Sequence, residues 1–300
     1  MSAHTENRSS MDYLVDTWQS LLQKIHFYHQ ELLSNREDES LHQLRIAARR
    51  SIVLMDEFRF VSKSDQIHLH RKALKKMIDI SNQKRDLDVM GNYVHSLGKA
   101  YDDAALQQLN GYLKEMQMQA DRKLFLYLQS IEYSKDLESW KVYLEKVSKN
   151  DCTAEGKVGI RSLSKKVIYK RFSVIKKEIM SLDKKKRKRM KDLHALRISY
   201  KKLRYLLETF SSLYKKHELR SLLKQMKRIQ NLLGHLHDNY QQKEILKRVL
   251  ENEKNKTVKN LIKDTLYKDM KRLKKREKLE VARELKKFLD KESLYKELFA

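Results

Sequence analysis

The stretch LHQLRIAARRSIVLMDEF at residues 41–58 returns as LHALRISYKKLRYLLETF at residues 193–210. Leu, His, Leu, Arg, Ile, Leu and Phe coincide at a shift of 152 residues, and the same shift carries Lys72, Lys75 and Lys76 onto Lys224, Lys227 and Arg228, and Asp86 onto Asp238, without a gap. A repeat of this length, held in constant register, makes two copies of one unit the economical reading. The junction falls near NDCTAEGKVG (150–159), the polar, glycine-containing stretch at mid-chain that includes Cys152.

Each copy reads as helix. The chain has no proline and only six glycines among its 300 residues, with abundant Leu, Lys, Glu, Gln and Arg, so little in it breaks a helix and much of it forms one. Apolar periodicity predicts helices over 11–33, 36–61, 65–92 and 101–147, the last broken near residue 133, and over 157–181, 184–214, 217–250 and 255–297. Ser34 with Glu37 has the pattern of a capping box, and Ser64 is placed to cap the following helix. The expected fold is all-α: two pseudo-symmetric four-helix bundles, residues 1–150 and 151–300, packed as halves of one domain.

Charge distinguishes the halves. Residues 1–150 hold 22 Lys and Arg against 21 Asp and Glu; residues 151–300 hold the remaining 44 against 19, so nearly all of the formal +26 lies in the second half. A field of that sign attracts polyanions such as nucleic acid, anionic lipid or polyphosphate without choosing among them. The lone cysteine excludes an internal disulfide framework and multi-cysteine metal sites, which fits a reducing compartment. With no signal-peptide pattern and no run of some eighteen apolar residues, the expectation is a cytoplasmic protein with no membrane partner.

On a helical wheel with His42 at zero, Arg45, Arg49 and Arg50 fall at about 300°, 340° and 80°, whereas Leu44, Ala48, Met55 and Phe58 fall at about 160–240°. The second copy repeats the stripe with His194, Arg197, Lys201 and Lys202, and adds Arg204. A basic stripe opposite an apolar one is commonly a solvated face. Here the residues include arginine and histidine, the pattern recurs in register, and it is present in a half that is nearly neutral. A guanidinium donates in forks to phosphate oxygens, and a neighbouring histidine becomes a cation when phosphate raises its pKa.

The pattern His-x-x-Arg-x-x-x-[Arg/Lys]-[Arg/Lys], as HQLRIAARR and as HALRISYKK, followed by basic helices ending in KRDLD (84–88) and LLGHLHD (232–238), resembles the CHAD family, named for its histidine-bearing α-helical domain. The resemblance spans at least residues 36–240. It implies helical bundles whose basic helices line a central cavity or pore that binds inorganic polyphosphate. By that resemblance the binding face holds His42, Arg45, Arg49 and Arg50 in the first copy, and His194, Arg197, Lys201, Lys202 and Arg204 in the second. The first copy departs from the family pattern by carrying Ile52 where the second has Arg204, which implies a weaker grip there. The second helices would add Lys72, Lys75 and Lys76, and Lys224, Lys227 and Arg228. Asp86 and Asp238 match as well, and are better suited to orienting an Arg or His, or to capping a helix, than to touching a polyanion.

No catalytic residue, metal or cofactor is expected. Phosphoryl transfer needs metal-holding carboxylates or a nucleophile beside the phosphate, and the basic faces offer no repeated acidic cluster. The Glu-x-Glu-x-Lys signature of triphosphate-tunnel enzymes is absent, its nearest approach being ENEKN at 251–255. His68 with His70, and His235 with His237, are spaced by two, which separates the rings on a helix. The expectation is a non-enzymatic polyphosphate-binding protein, located at polyphosphate granules. Nucleic-acid binding is the rival, since the run KKKRKRMK (184–191) has the composition of a nucleic-acid patch.

Overall fold

The structure, a computed structural model, describes residues 8–98, 104–147, 151–184, 190–214 and 216–300. Its helices are α1 (Ser10–Asn35), α2 (Asp38–Phe58), α3 (Gln66–Gly98), α4 (Ala104–Leu128), α5 (Ile131–Lys146), the single turn α6 (Ala154–Lys157), α7 (Ile160–Lys184), α8 (Met190–Thr209), α9 (Lys216–Asn252), α10 (Lys256–Asn260), α11 (Tyr267–Leu289) and α12 (Glu292–Phe299). Among the described residues there is no strand, only isolated bridges between Ser9 and Gly159 and between Ser62 and Cys152.

Local chemistry sets several helix ends. Ser9 caps α1 by accepting the Asp12 N–H at 3.1 Å, and Ser130 caps α5 by accepting from Tyr133, so the expected break near residue 133 falls at Gln129–Ser130. Ser64 accepts the Gln66 N–H at 3.2 Å at the head of α3. The capping box expected of Ser34 and Glu37 does not form. Arg36 takes the left-handed conformation, φ 55°, and ends α1, so Ser34 stays in its last turn and Glu37 precedes α2 without a side-chain capping bond. The last expected helix, 255–297, is three: α10 passes through a π-helical stretch, Leu261–Leu266, into α11, and the chain breaks again before α12.

The core departs from two separately filled bundles. Buried apolar residues form one large cluster running from Met11 to Phe299, and α2 packs on α8 while α3 packs on α9. A second cluster joins Leu87, Met90 and Val94 of α3 and Leu113 of α4 to Ile245, Val249, Ile262 and Met270. Both clusters therefore draw on both halves. The physical reason is the length of α3 and α9: at 33 and 37 residues they span roughly 50–55 Å and outrun the helices that pack beside their first turns.

The mid-chain stretch is likewise packed rather than a free linker. Cys152 is buried, Thr153 donates to the Phe60 carbonyl at 2.8 Å, and the Ser10 N–H donates to the Val158 carbonyl at 2.8 Å. Gly156 lies so close to the Val61 carbonyl that an added Cβ would stand 2.6 Å from it, which explains a glycine at that point.

Candidate anion-binding site

The two cores leave a polar level between them. On α3 the larger cluster includes Met77 and Ile78 and the smaller begins at Leu87; on α9 the corresponding residues are Leu236 and Ile245. The intervening residues of α3 and α9 face the middle of α2 and α8, and there the repeated stripes meet.

Arg45 is buried, 4% exposed, and anchored: its guanidinium donates to Ser81 Oγ, to Asn82 Oδ1 at 2.8 Å and to the Ile78 carbonyl at 3.4 Å. Arg49, one turn on, reaches Asn82 Oδ1 at 3.4 Å. Arg197 and Lys201 of α8 complete a group of four cations. Residues 233 and 234, which the 152-residue shift sets opposite Ser81 and Asn82, are Leu and Gly, so Arg197 has no such anchor and its buried Nε has no hydrogen-bond partner. Asp86 and Asp238 face this group. Burial and Asp238 raise the Asp86 carboxyl above its ordinary range, against the pull of Arg45 and Arg197.

The electrostatic cost falls on both halves. Burial, then Arg197 and Arg49, push the Lys201 ammonium down to about 6. Burial and Arg197 likewise push His237 down to about 4, and burial and Arg197 lower His194. Burial and Arg49 lower Arg45, and burial lowers Arg49 and Arg197. A guanidinium keeps its proton under such pressure, so what these shifts describe is first the cost of burying the charges and second their mutual repulsion.

Two residues that the sequence reading did not select belong here. His237 presents Nδ1 to Nδ1 of His194 at 3.3 Å. Arg85, which the shift sets opposite His237, acts on His42, Arg45 and Arg49. Both stood inside the motifs KRDLD and LLGHLHD, and the 152-residue shift was the signal that pairs them. His42 and His194 are exposed at the margin of the group.

Other expected site residues are turned to different work. Arg50 is paired with Glu208 at 2.6 Å, and Lys202 with Asp56 at 2.9 Å. These pairs are related by the 152-residue shift, and each crosses from α2 to α8 as a clamp. Glu208 also holds Arg204 at 2.6 Å, and Arg204 donates to Gln230 at 2.9 Å. Lys76 points to Glu132 of α5, and Arg228 to Glu284 of α11 at 3.2 Å. Each of these five cations thus has a carboxylate partner, while Lys76 and Arg228 also remain exposed to solvent. The wheel of one helix could not show this for Arg50, Lys202, Lys76 and Arg228, whose carboxylates come from other helices, whereas Glu208 stands four residues beyond Arg204 on the same wheel. Lys72 and Lys75 are exposed on α3, Lys75 roughly 16 Å along the helix from Asp86. Lys224 and Lys227 line a separate groove between α8 and α9.

His70 is buried with its ring stacked toward Trp140, apart from exposed His68, and His235 lies 3.7 Å from Glu277, apart from His237. Among the described residues, no three His, Cys, Asp or Glu side chains form a metal-holding group, and no helix is long and apolar enough to cross a membrane. Residues 185–189 of the run KKKRKRMK lie outside the described residues.

The sequence matches the family model of the CHAD domain over residues 17–247. The fold is similar to the crystal structure of the CHAD domain from the plant Ricinus communis, with a TM-score of 0.71 and 16% identity over 93% of this chain and 92% of that one. It is similar also to PptA from Streptomyces chartreusis, with a TM-score of 0.73 and 12% identity over 93% of this chain and 100% of that one. Among curated proteins, none matches.

Proposed function

The chain belongs to the CHAD family, which is associated with polyphosphate, and from that premise we propose that it binds inorganic polyphosphate without transforming it. The observation that carries the reading is the convergence of Arg45, Arg49, Arg197 and Lys201, two from each half, on a level with Asp86 and Asp238 as the facing carboxylates. Such a group is repulsive when empty and relaxes when a chain of phosphates enters it. Each guanidinium then gains charge-assisted bonds, and Lys201 and the paired histidines regain protons.

The two halves are read as copies of one helical unit. What supports this is the constant 152-residue register of the sequence and the packing of equivalent helices across the middle, α2 on α8 and α3 on α9. A thin, flexible anion that touches both halves at once is the ligand such a site suits. Asp86 and Asp238, set against the cations, act as orienting groups in this reading rather than as holders of a catalytic metal. Binding of this kind would gather the protein onto polyphosphate granules in the cytoplasm.

The test is a competition at physiological salt among long-chain polyphosphate, tripolyphosphate, orthophosphate and duplex DNA. The reading expects affinity to rise with phosphate chain length and duplex DNA to compete poorly, because the phosphates of a wide, stiff duplex cannot all reach the recessed cations of α2 and α8 at once. Equal or tighter binding of DNA would overturn it in favour of a nucleic-acid-binding surface.

A further inference from the structure

Apart from the central group, α8, α9 and the turn between them enclose an open groove of about 920 Å³ whose lining is mostly hydrocarbon. On α9, Arg220, Lys224 and Lys227 follow one another at i, i+4 and i+7 and form one stripe along the groove. All three are exposed, and none has a carboxylate partner among the described residues. Leu223 and Leu219 lie about 60° and 100° to one side of that stripe, so an apolar strip runs beside the cations. The acidic wall residue, Glu208, is already held by Arg50 and Arg204.

The copies differ at this strip. The 152-residue shift sets Leu223 opposite Arg71, and Ser212 opposite Phe60. Arg71 is charged and pairs with Asp56, and Phe60 carries its ring at the surface beside Phe58. In the second half the small Ser212 and the apolar Leu223 leave the groove open and this part of its floor without charge.

We propose that this groove is a docking site for an acidic amphipathic helix of another protein. A purely anionic chain would pair with the cations and leave the leucine strip wet, whereas a purely apolar segment would cover the strip and leave three cations without partners. A helix with an apolar stripe flanked by Glu or Asp satisfies both at once. Carboxylates at i, i+4 and i+7 on such a helix have the same pitch as the α9 cations, which span roughly 10 Å, so about two to three turns fill the site. The second half carries nearly all of the formal +26, and a field of that sign speeds the approach of an acidic partner while repelling a second copy of this half. The inference does not rest on polyphosphate binding, because it draws on none of Arg45, Arg49, Arg197 and Lys201.

The experiment follows fluorescence anisotropy of labelled peptides added to the full chain at physiological salt. The probe is a helical peptide of about 14 residues with Leu at i, i+3, i+4 and i+7 and Glu on the flanking positions. The control has the same composition in scrambled order, hence the same charge without an apolar stripe. The probe is expected to bind at least about tenfold more tightly than the control, and Leu223→Asn should remove that difference while leaving long-chain polyphosphate affinity unchanged. Lys224→Gln with Lys227→Gln should weaken probe binding by about five- to tenfold without touching the apolar packing, whereas Lys72→Gln with Lys75→Gln, the shifted pair, should leave it unaltered. Circular dichroism checks that each variant is folded, and if Leu223→Asn is not, the Lys224/Lys227 variant decides. Equal binding of probe and scrambled control, no binding of the probe, or probe binding unaltered by the Lys224/Lys227 change would overturn the docking site. So would displacement of the probe by tripolyphosphate at equal charge, which would make the groove a phosphate site. Failure of the wild type to bind polyphosphate would remove the reading of the central group and leave the peptide result standing.

Discussion

Lys201 and His237 bear much of the electrostatic pressure in the central group. In the free protein the ammonium is held near 6 and the imidazole near 4 by burial and by Arg197 and its neighbours. A polyanion reverses those pressures, so binding takes up protons. The window follows from the direction of the shifts. Above about 6, Lys201 is neutral when free and charged when bound, and each proton taken up weakens the observed affinity by up to about tenfold per pH unit as pH rises. Polyphosphate affinity is therefore expected to fall steadily from pH 6 to pH 8. Titration calorimetry in buffers of different ionisation enthalpy should register the uptake directly. Replacing Lys201 with Arg, the type of residue at the shifted position 49, should flatten the profile while preserving binding. An affinity independent of pH over that range would contradict the assignment of Lys201 to the site. This residue was legible in the sequence as one of a stripe; its strained protonation was not, because that depends first on burial and then on Arg197 and Arg49 arriving from two helices.

At the scale of helices, the wheel of α2 and α8 identified the right faces but could not divide them. Arg49 and Lys201 turn to the central group, whereas their chain neighbours Arg50 and Lys202 turn to Glu208 and Asp56 and bind α2 to α8. Adjacent residues on a helix lie about 100° apart, enough to separate a ligand contact from a clamp. Replacing Arg50 and Lys202 by Met is therefore expected to lower unfolding free energy by about 1 kcal/mol for each half-buried pair, as read by denaturant melts, with polyphosphate affinity changed less than about threefold. A loss of affinity as large as that from removing Arg49 and Lys201 would return the clamps to the binding face. Helix content and most spans were also open to reading, since a chain without proline leaves few alternatives. The capping box failed because Arg36 adopts a left-handed turn, and the shared core was hidden because periodicity shows that a face is buried without showing which half buries it.

Over the whole molecule, the formal charge of +26 and the central group make separable contributions. On the proposed reading the first draws any polyanion and fades with salt, and the second requires a ligand thin enough to reach the recessed cations of both halves at once. The 152-residue repeat exposed the site because residues far apart in the chain, yet equivalent within it, come together at the middle of the fold. The groove beside α9 was not legible that way, since it arises where the copies differ, at Leu223 and Ser212. The most direct measurement is long-chain polyphosphate affinity at physiological salt in two variants that each remove two positive charges: Arg49→Gln with Lys201→Gln in the central group, and Lys24→Gln with Lys170→Gln on the exposed faces of α1 and α7. A buried charge-assisted contact is worth about 1.5–3 kcal/mol and an exposed charge about 1 or less. The first variant should lose at least about tenfold more affinity than the second, with helical content by circular dichroism unchanged in both; equal losses would mean that bulk charge alone holds the ligand.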